Sequence, residues 1–128
     1  MKKKGWDNMA EHNDFGKFGE KLAEQYLEDN SYEIIEKNWR FGSDEIDIIA
    51  HKNGLVIIVE VKTRRSSYFG EPEEFVTKTK QRFLIRAANN YAERKKLDSE
   101  FRFDIISVLY NSETKQINHI EDAFAPGM

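Results

Sequence analysis

Two apolar, β-branched runs meet at Asn53-Gly54, and that junction constrains the fold more than any other feature of the chain. Ile46, Ile48 and Ile49 precede the pair, and Leu55-Val56-Ile57-Ile58-Val59 follow it. β-Branched residues suit a pleated surface, and Asn-Gly between two such runs is the strongest short-range hairpin signal. A two-residue turn there pairs Lys52 with Leu55, Ile48 with Val59, Asp47 with Glu60 and Glu45 with Lys62. Opposed side chains share a face, with Cβ atoms about 5 Å apart. Two carboxylates at that spacing repel unless a cation separates them. The simplest occupant is a hard divalent metal, which takes oxygen ligands.

Parity along the hairpin sets Ile57, Val59 and Val61 on one face with Ile46 and Ile48. Val56, Ile58, Glu60 and Lys62 take the other face with Ile49, Asp47 and Glu45. Both faces begin apolar, so the second strand is expected to be central and covered on both sides. Glu-x-Lys alone more often marks an ion pair on a solvated face. It carries weight here because buried charges need partners. A buried cluster in which Lys62 simply neutralises Glu45 or Glu60 is the competing interpretation.

Around the hairpin, periodicity gives the rest. Residues 1–12 read as a flexible tail, and residues 13–128 as one domain. A helix is expected from about Asp14 to Asp29, with Asn13 or Asp14 as its cap. Phe15, Phe18, Leu22 and Tyr26 form its apolar stripe, with Gly19 inside it to admit close packing. Glu20 stands at the edge of that stripe, the one acid of the helix able to look toward the sheet. Tyr32 to Asn38 reads as a strand and Trp39 to Ser43 as a connection. Residues 64–74, with Gly70 and Pro72, form a polar loop. A long helix follows from near Phe75 to Lys96, burying Val76, Phe83, Leu84, Ala87, Ala88 and Tyr91, with Lys80 on that same side. Phe101 to Tyr110 makes a fourth strand, and residues 116–121 a fifth beyond a turn at Asn111-Ser112. Helix, three strands, helix and strand predict an α/β fold around one mixed sheet flanked by helices.

Composition narrows the classes. The chain has 128 residues, 39% hydrophobic and 34% charged, which suits a globular domain with its own core. It contains no cysteine, so disulfides and thiolate sites are excluded and a reducing cytoplasm is the expected compartment. No apolar stretch is long enough for a bilayer span, and no membrane role is expected. Net charge is −3, yet residues 62–96 hold ten Lys/Arg against four Glu, leaving −9 on the remainder. Such asymmetry points to a polyanionic partner, although a solvated basic helix accounts for it equally well. His51 sits at the turn, roughly 13 Å along the strand from Asp47, and reads as a loop histidine. His12 and His119 have no neighbours that suggest a ligand set. Asp104, on the strand that can bring it near the acid cluster, is expected to pair with Arg102 or a helix residue.

Asp47 followed by Glu60-Val61-Lys62 resembles the PD-(D/E)xK signature of restriction-endonuclease-like nucleases. The wider chain is similar to the YraN-type bacterial family and, more distantly, to archaeal Holliday-junction resolvases. The resemblance spans Gly16 to about Val108, through Gly19-Glu20, Asn38, Arg40, Glu45 to Ala50, Val59 to Arg64, Gly70, Lys80-Gln81-Arg82 and Arg102-Phe103-Asp104. Two positions depart from it: Ile46 stands where the signature has proline, and Asp44 where a glycine usually precedes the Glu-Ile-Asp run. The resemblance implies an α-β-β-β-α-β core and a Mg²⁺- or Mn²⁺-dependent endonuclease that hydrolyses DNA phosphodiesters, with branched and single-stranded DNA as candidate substrates. It implies Asp47 and Glu60 as metal ligands, the Val61 carbonyl as a third, and Glu20 reaching in directly or through water. Lys62 would orient the attacking water or neutralise phosphate charge, and Arg64, Lys80, Gln81 and Arg82 would hold the nucleic-acid backbone. A non-catalytic nucleic-acid binder and a protein-interaction module using the basic helix are the alternatives, and a homodimer is left open.

Overall fold

A computed structural model describes the backbone of residues 5–66 and 76–126, with side chains from residue 14 onward. The order is α1 (Gly5–Asp29), β1 (Glu33–Phe41), β2 (Asp44–Lys52), β3 (Leu55–Arg64), α2 (Lys78–Lys95), β4 (Glu100–Tyr110) and β5 (Lys115–Phe124). The strands form one mixed sheet in the order β1-β2-β3-β4-β5, with β3 at its centre. β3 and β4 are parallel and the other neighbours antiparallel. The parallel pair demands a crossover, which α2 supplies.

Asn53 and Gly54 both take positive φ, 52° and 81°, as a primed hairpin turn requires. Lys52 pairs with Leu55 and Ile48 with Val59 as expected. β1 runs on to Phe41 instead of ending at Asn38, because Gly42-Ser43 makes a tight turn and Phe41 pairs with Asp44. The fifth strand forms, and Asn111 ties the preceding turn by accepting from the Glu113 and Thr114 amides at 2.8 and 2.9 Å.

Each face of the sheet has its own core. On the α2 face Ile46, Ile49, Val56 and Ile58 meet Leu84, Ala87, Ala88 and Tyr91. On the α1 face Ile48, Ile57, Val59, Ile106 and Val108 meet Ala23 and Leu27. β3 is therefore covered on both sides, as its composition suggested.

Several expectations need correction. α1 begins at Gly5, nine residues before the expected start, and Asn13 is inside it. Its buried line is Gly19, Ala23 and Leu27, with Phe18 left 39% exposed. The small residues win because the helix backbone itself lies against β3: a Cβ on Gly19 would overlap Thr63 Oγ1 and stand 2.6 Å from its Cγ2. α2 begins at Lys78, capped by Thr77, whose hydroxyl accepts from the Lys80 amide at 3.1 Å. The expected start at Phe75 and the Gly70-Pro72 loop lie outside the described residues. Phe83 is 40% exposed, since it sits about 90° from the centre of the buried stripe and packs instead beneath Arg86. No helix among the described residues is long and apolar enough to cross a membrane.

Candidate active site

The β2–β3 ladder stops at Ile48–Val59 although both strands continue past it. Asp47 occupies the opening. Its Oδ2 accepts from the Val61 amide at 2.8 Å, so a side chain takes over where a backbone carbonyl would have continued the ladder. The expected ladder pairing of Asp47 with Glu60 is not formed; the two carboxyls instead approach each other across this split, on one cavity wall. Both main-chain groups of one strand residue point to the same edge, so the Val61 carbonyl faces the split as well.

Parity fails at the same point. Lys37 pairs with Ile48, and Trp39 with Ile46. Lys37 reaches Glu24 of α1, at 3.4 Å, whereas Trp39 stacks edge-on against Tyr91 of α2. Neighbouring odd positions of β1 thus look to opposite sides. The reversal centres on Asn38, whose φ is +52°. In consequence Ile46 joins the α2 core beside Ile49 instead of lying with Ile48, and Glu45 does not pair with Lys62. Glu45 bonds Arg40 at 3.0 Å.

Glu60 is 4% exposed and lies between two ammonium groups, Lys62 at 3.7 Å and Lys80 at 3.6 Å. Lys62 is held there by β3 itself. Lys80 comes from the first turn of α2, where the Thr77 cap fixes the helix start. On the other side of the split, Glu20 of α1 approaches Asp47 and Glu45, because the Gly19–Thr63 contact lets the helix sit close to β3. A cavity of about 270 Å³ collects Glu20, Glu45, Asp47, Glu60, Lys62 and Lys80 on its wall. A second, of about 560 Å³, continues from Glu20, Glu45 and Asp47 between α1 and β1, past Lys21 and Arg40.

The electrostatics carry the mark of crowded acids. Desolvation first, then the charge of Glu60 and the hydrogen bond with it, push Asp47 up to about 8 against the opposing pull of the Val61 amide and Lys80. Burial first, then Asp47 and Glu45, raise Glu20 to about 7. Acids held this far from their ordinary values accumulate where function requires them.

Among the described residues, no three acidic, histidine or cysteine side chains gather round one point. Asp47 and Glu60 give two hard oxygen donors, and the Val61 carbonyl is the third protein oxygen at the split. That set, with water completing it, fits the habits of Mg²⁺ and Mn²⁺.

Not every expected residue arrives at the cavity. Arg64, at the end of β3, is outside its wall, as are Gln81 and Arg82. Gln81 turns its amide back onto the Val76 carbonyl at 3.0 Å, closing the start of α2. Arg82 is exposed, 3.5 Å from the Thr79 hydroxyl. His51 pairs with Val56 near the hairpin turn, away from the site.

Two features escaped the sequence. Asn38 sits between the pairs that bracket Asp47, and its amide nitrogen, oriented by its partners, donates to Glu20 Oε1 and Glu45 Oε1 at 2.9 Å each. Asn38 falls within the family resemblance but with no role attached to it, and the tolerance of asparagine for left-handed backbone was its physical signal. The second is a buried polar cluster on the α1 face. Asp104 binds Arg102 at 2.7 Å, as expected, and also His119 at 2.7 Å, while His119 meets the Tyr26 hydroxyl at 3.1 Å. Burial works to raise Asp104, but the hydrogen bonds from His119, Arg102 and the Asp122 amide outweigh it and hold the carboxyl below its ordinary range.

Comparison with known proteins identifies the family of the chain. The model of the family described as "Uncharacterised protein family UPF0102" matches residues 19–108, which take in β1 to β3, α2, nearly all of β4 and most of the described α1 side chains. A UPF0102 protein of Flavobacterium psychrophilum is 51% identical over 116 residues, 91% of this chain and 98% of that one. One from Christiangramia forsetii is 47% identical over the same shares. One from Clostridium beijerinckii is 48% identical over 87% of this chain and 93% of its own. With matches of this extent joined to a five-stranded mixed sheet between two helices, the chain belongs to the UPF0102 (YraN) family of the restriction-endonuclease-like superfamily.

Proposed function

We propose that this protein is a metal-dependent endonuclease that hydrolyses phosphodiesters of DNA at the β2–β3 split. The observation that carries the proposal is the meeting of Asp47 and Glu60 in a ladder opened at Ile48–Val59, flanked by Lys62 and Lys80. A structural ion-pair cluster has no use for two acids in contact; a divalent-ion site does. Asp47, Glu60 and the Val61 carbonyl would hold Mg²⁺ or Mn²⁺. Bound there, the ion would supply neutralising charge at a phosphoryl oxygen and lower the pKa of its water.

The chain's own groups divide the remaining work. Lys62, 35% exposed, is free to extend an N–H toward a phosphate oxygen while Lys80 keeps Glu60 paired. Glu20, raised to about 7, can accept a proton near neutral pH, the property required of a general base. The cavity between α1 and β1 gives a strand room to continue past the site. Arg82, exposed on α2, would hold backbone phosphates away from the chemistry, and Gln81 would act through the fold of the helix start. Branched or single-stranded DNA is the favoured substrate class, because a strand must be drawn in to reach buried Glu60 beside Asp47.

The test is incubation of the purified protein with labelled linear, forked and four-way DNA in Mg²⁺, Mn²⁺ or EDTA, beside Asp47→Asn. We expect cleavage in either metal and none in EDTA or in the variant. Metal-independent binding without cleavage of any substrate would replace the proposal with a non-catalytic binder, and neither binding nor cleavage with an interaction module.

A further inference from the structure

Among the described residues five non-glycine positions take positive φ, and four have an evident local reason. Ser31 follows the end of α1, Asn53 is in the hairpin turn, and Lys96 is the left-handed cap of α2. Asp122 lies within β5, where its amide donates to buried Asp104 at 3.0 Å. Asn38 is the fifth. It lies inside β1, is exposed, and packs into neither core. Left-handed backbone in the middle of a strand is unfavourable for any residue with a Cβ and persists where the surroundings require it.

What surrounds Asn38 is the acid cluster. Its backbone marks the place where the alternation of β1 and β2 reverses, between the pairs Lys37–Ile48 and Trp39–Ile46 that bracket Asp47 on β2. The reversal leaves Asp47 pointing along the sheet toward the Val61 amide instead of into a core. Its amide meanwhile carries two N–H groups, and each meets a different carboxylate, Glu20 of α1 and Glu45 of β2. A neutral double donor between two acids stabilises them as anions without adding a fixed charge that would compete for a metal.

Building on the nuclease assignment above, we propose that Asn38 is a positioning residue of this site: its left-handed backbone directs Asp47 into the β2–β3 split, and its amide clamps Glu20 to Glu45 within reach of Asp47. The two halves of the role separate in substitution. Asn38→Gly keeps the backbone conformation and removes the clamp; Asn38→Ala removes the clamp and resists the conformation.

The experiment has two independent arms. In metal-free protein labelled with ¹⁵N, the Asn38 side-chain amide resonances should move in Glu20→Gln and in Glu45→Gln, but not in Glu28→Gln on the exposed side of α1. Unmoved resonances would overturn the clamp whether or not the protein is a nuclease. In the second arm, Mn²⁺ affinity is measured by calorimetry and cleavage by kcat. Asn38→Gly should fold with an unchanged circular dichroism spectrum and lose about tenfold in kcat, and Asn38→Gly/Glu20→Gln should be no slower than Glu20→Gln alone, because Asn38 acts through Glu20. Asn38→Ala should in addition weaken Mn²⁺ binding by misplacing Asp47. Multiplying effects in the double variant, or full activity in Asn38→Gly, would refute the positioning role. If the parent neither binds Mn²⁺ nor cleaves, the nuclease assignment falls, and the resonances still decide the clamp.

Discussion

Two aspartates of this protein answer to pH in opposite directions, and the difference separates a site from a scaffold. Asp104 is held below its ordinary pKa by His119, Arg102 and the Asp122 amide, so its contribution to stability is present above the unfolded carboxyl pKa and is lost as pH falls. Asp47 is raised from 3.8 to about 8, so the native state binds its proton more tightly than the unfolded chain does. That contribution is complete below about pH 4 and is lost as pH rises through 8. Metal-free protein should therefore lose melting temperature between pH 5 and 8, and Asp47→Asn should flatten the loss. Asparagine keeps an oxygen for the Val61 amide and removes the ionisation of Asp47 beside Glu60, so the variant has no such charge to develop as pH rises. The variant should be at least as stable as the parent in EDTA and gain nothing from Mg²⁺, whereas the parent gains by mass action. Asp104→Asn, which breaks a buried cluster, should cost about 3 kcal/mol at neutral pH. Thermal melts across pH, with EDTA and with Mg²⁺, test all three; a strongly destabilised Asp47→Asn would make Asp47 a structural partner.

At the scale of elements, the site depends on how closely α1 lies on β3. Gly19 sets that distance, because a Cβ there meets Thr63. Gly19→Ala must displace either the helix or the strand end, at about 1–3 kcal/mol of strain, and it carries Glu20 with it. Thr63→Ala in that background leaves only the Thr63 Cβ, at 2.8 Å from the new methyl, so part of the melting temperature should return. No recovery would mean that the strain is taken up elsewhere. This contact also shows what sequence could and could not convey. The hairpin at Asn53-Gly54 was legible because turn chemistry and β-branched runs are local, and so was the covered centre of β3. The strip of aromatic residues on α1 misled, because size suggested the buried line while close approach required the small one. The split in the ladder was illegible for a different reason. It lies beside the left-handed backbone at Asn38 and among acids from three elements, and none of these is visible in a single periodic segment.

For the whole molecule, the organising fact is that charge is divided. Residues 62–96 carry +6 within a chain of net charge −3, and they include both the Lys62 end of β3 and the exposed side of α2. A polyanion would meet this surface first and be guided to the split by the same residues. Lys80 and Arg82 should then behave differently despite standing two residues apart. Arg82 is exposed and outside the cavity wall, so Arg82→Ala should remove one phosphate contact and nothing else. On duplex DNA that reduces the slope of log affinity against log salt by about 0.9, uniformly across sequences. Lys80 also neutralises Glu60, at 3.6 Å. Lys80→Ala should flatten the salt dependence by a similar amount and, because Glu60 loses one of its two ammonium neighbours, should alter Mg²⁺ affinity too. Binding titrations over a range of salt, made in Asp47→Asn protein so that no strand is cut, read the first effect. Calorimetry on the single Lys80→Ala variant reads the second. Salt slopes unchanged in both variants would remove α2 from the binding surface, and the basic stretch would then be a solvated helix beside a metal site that some other face presents to its substrate.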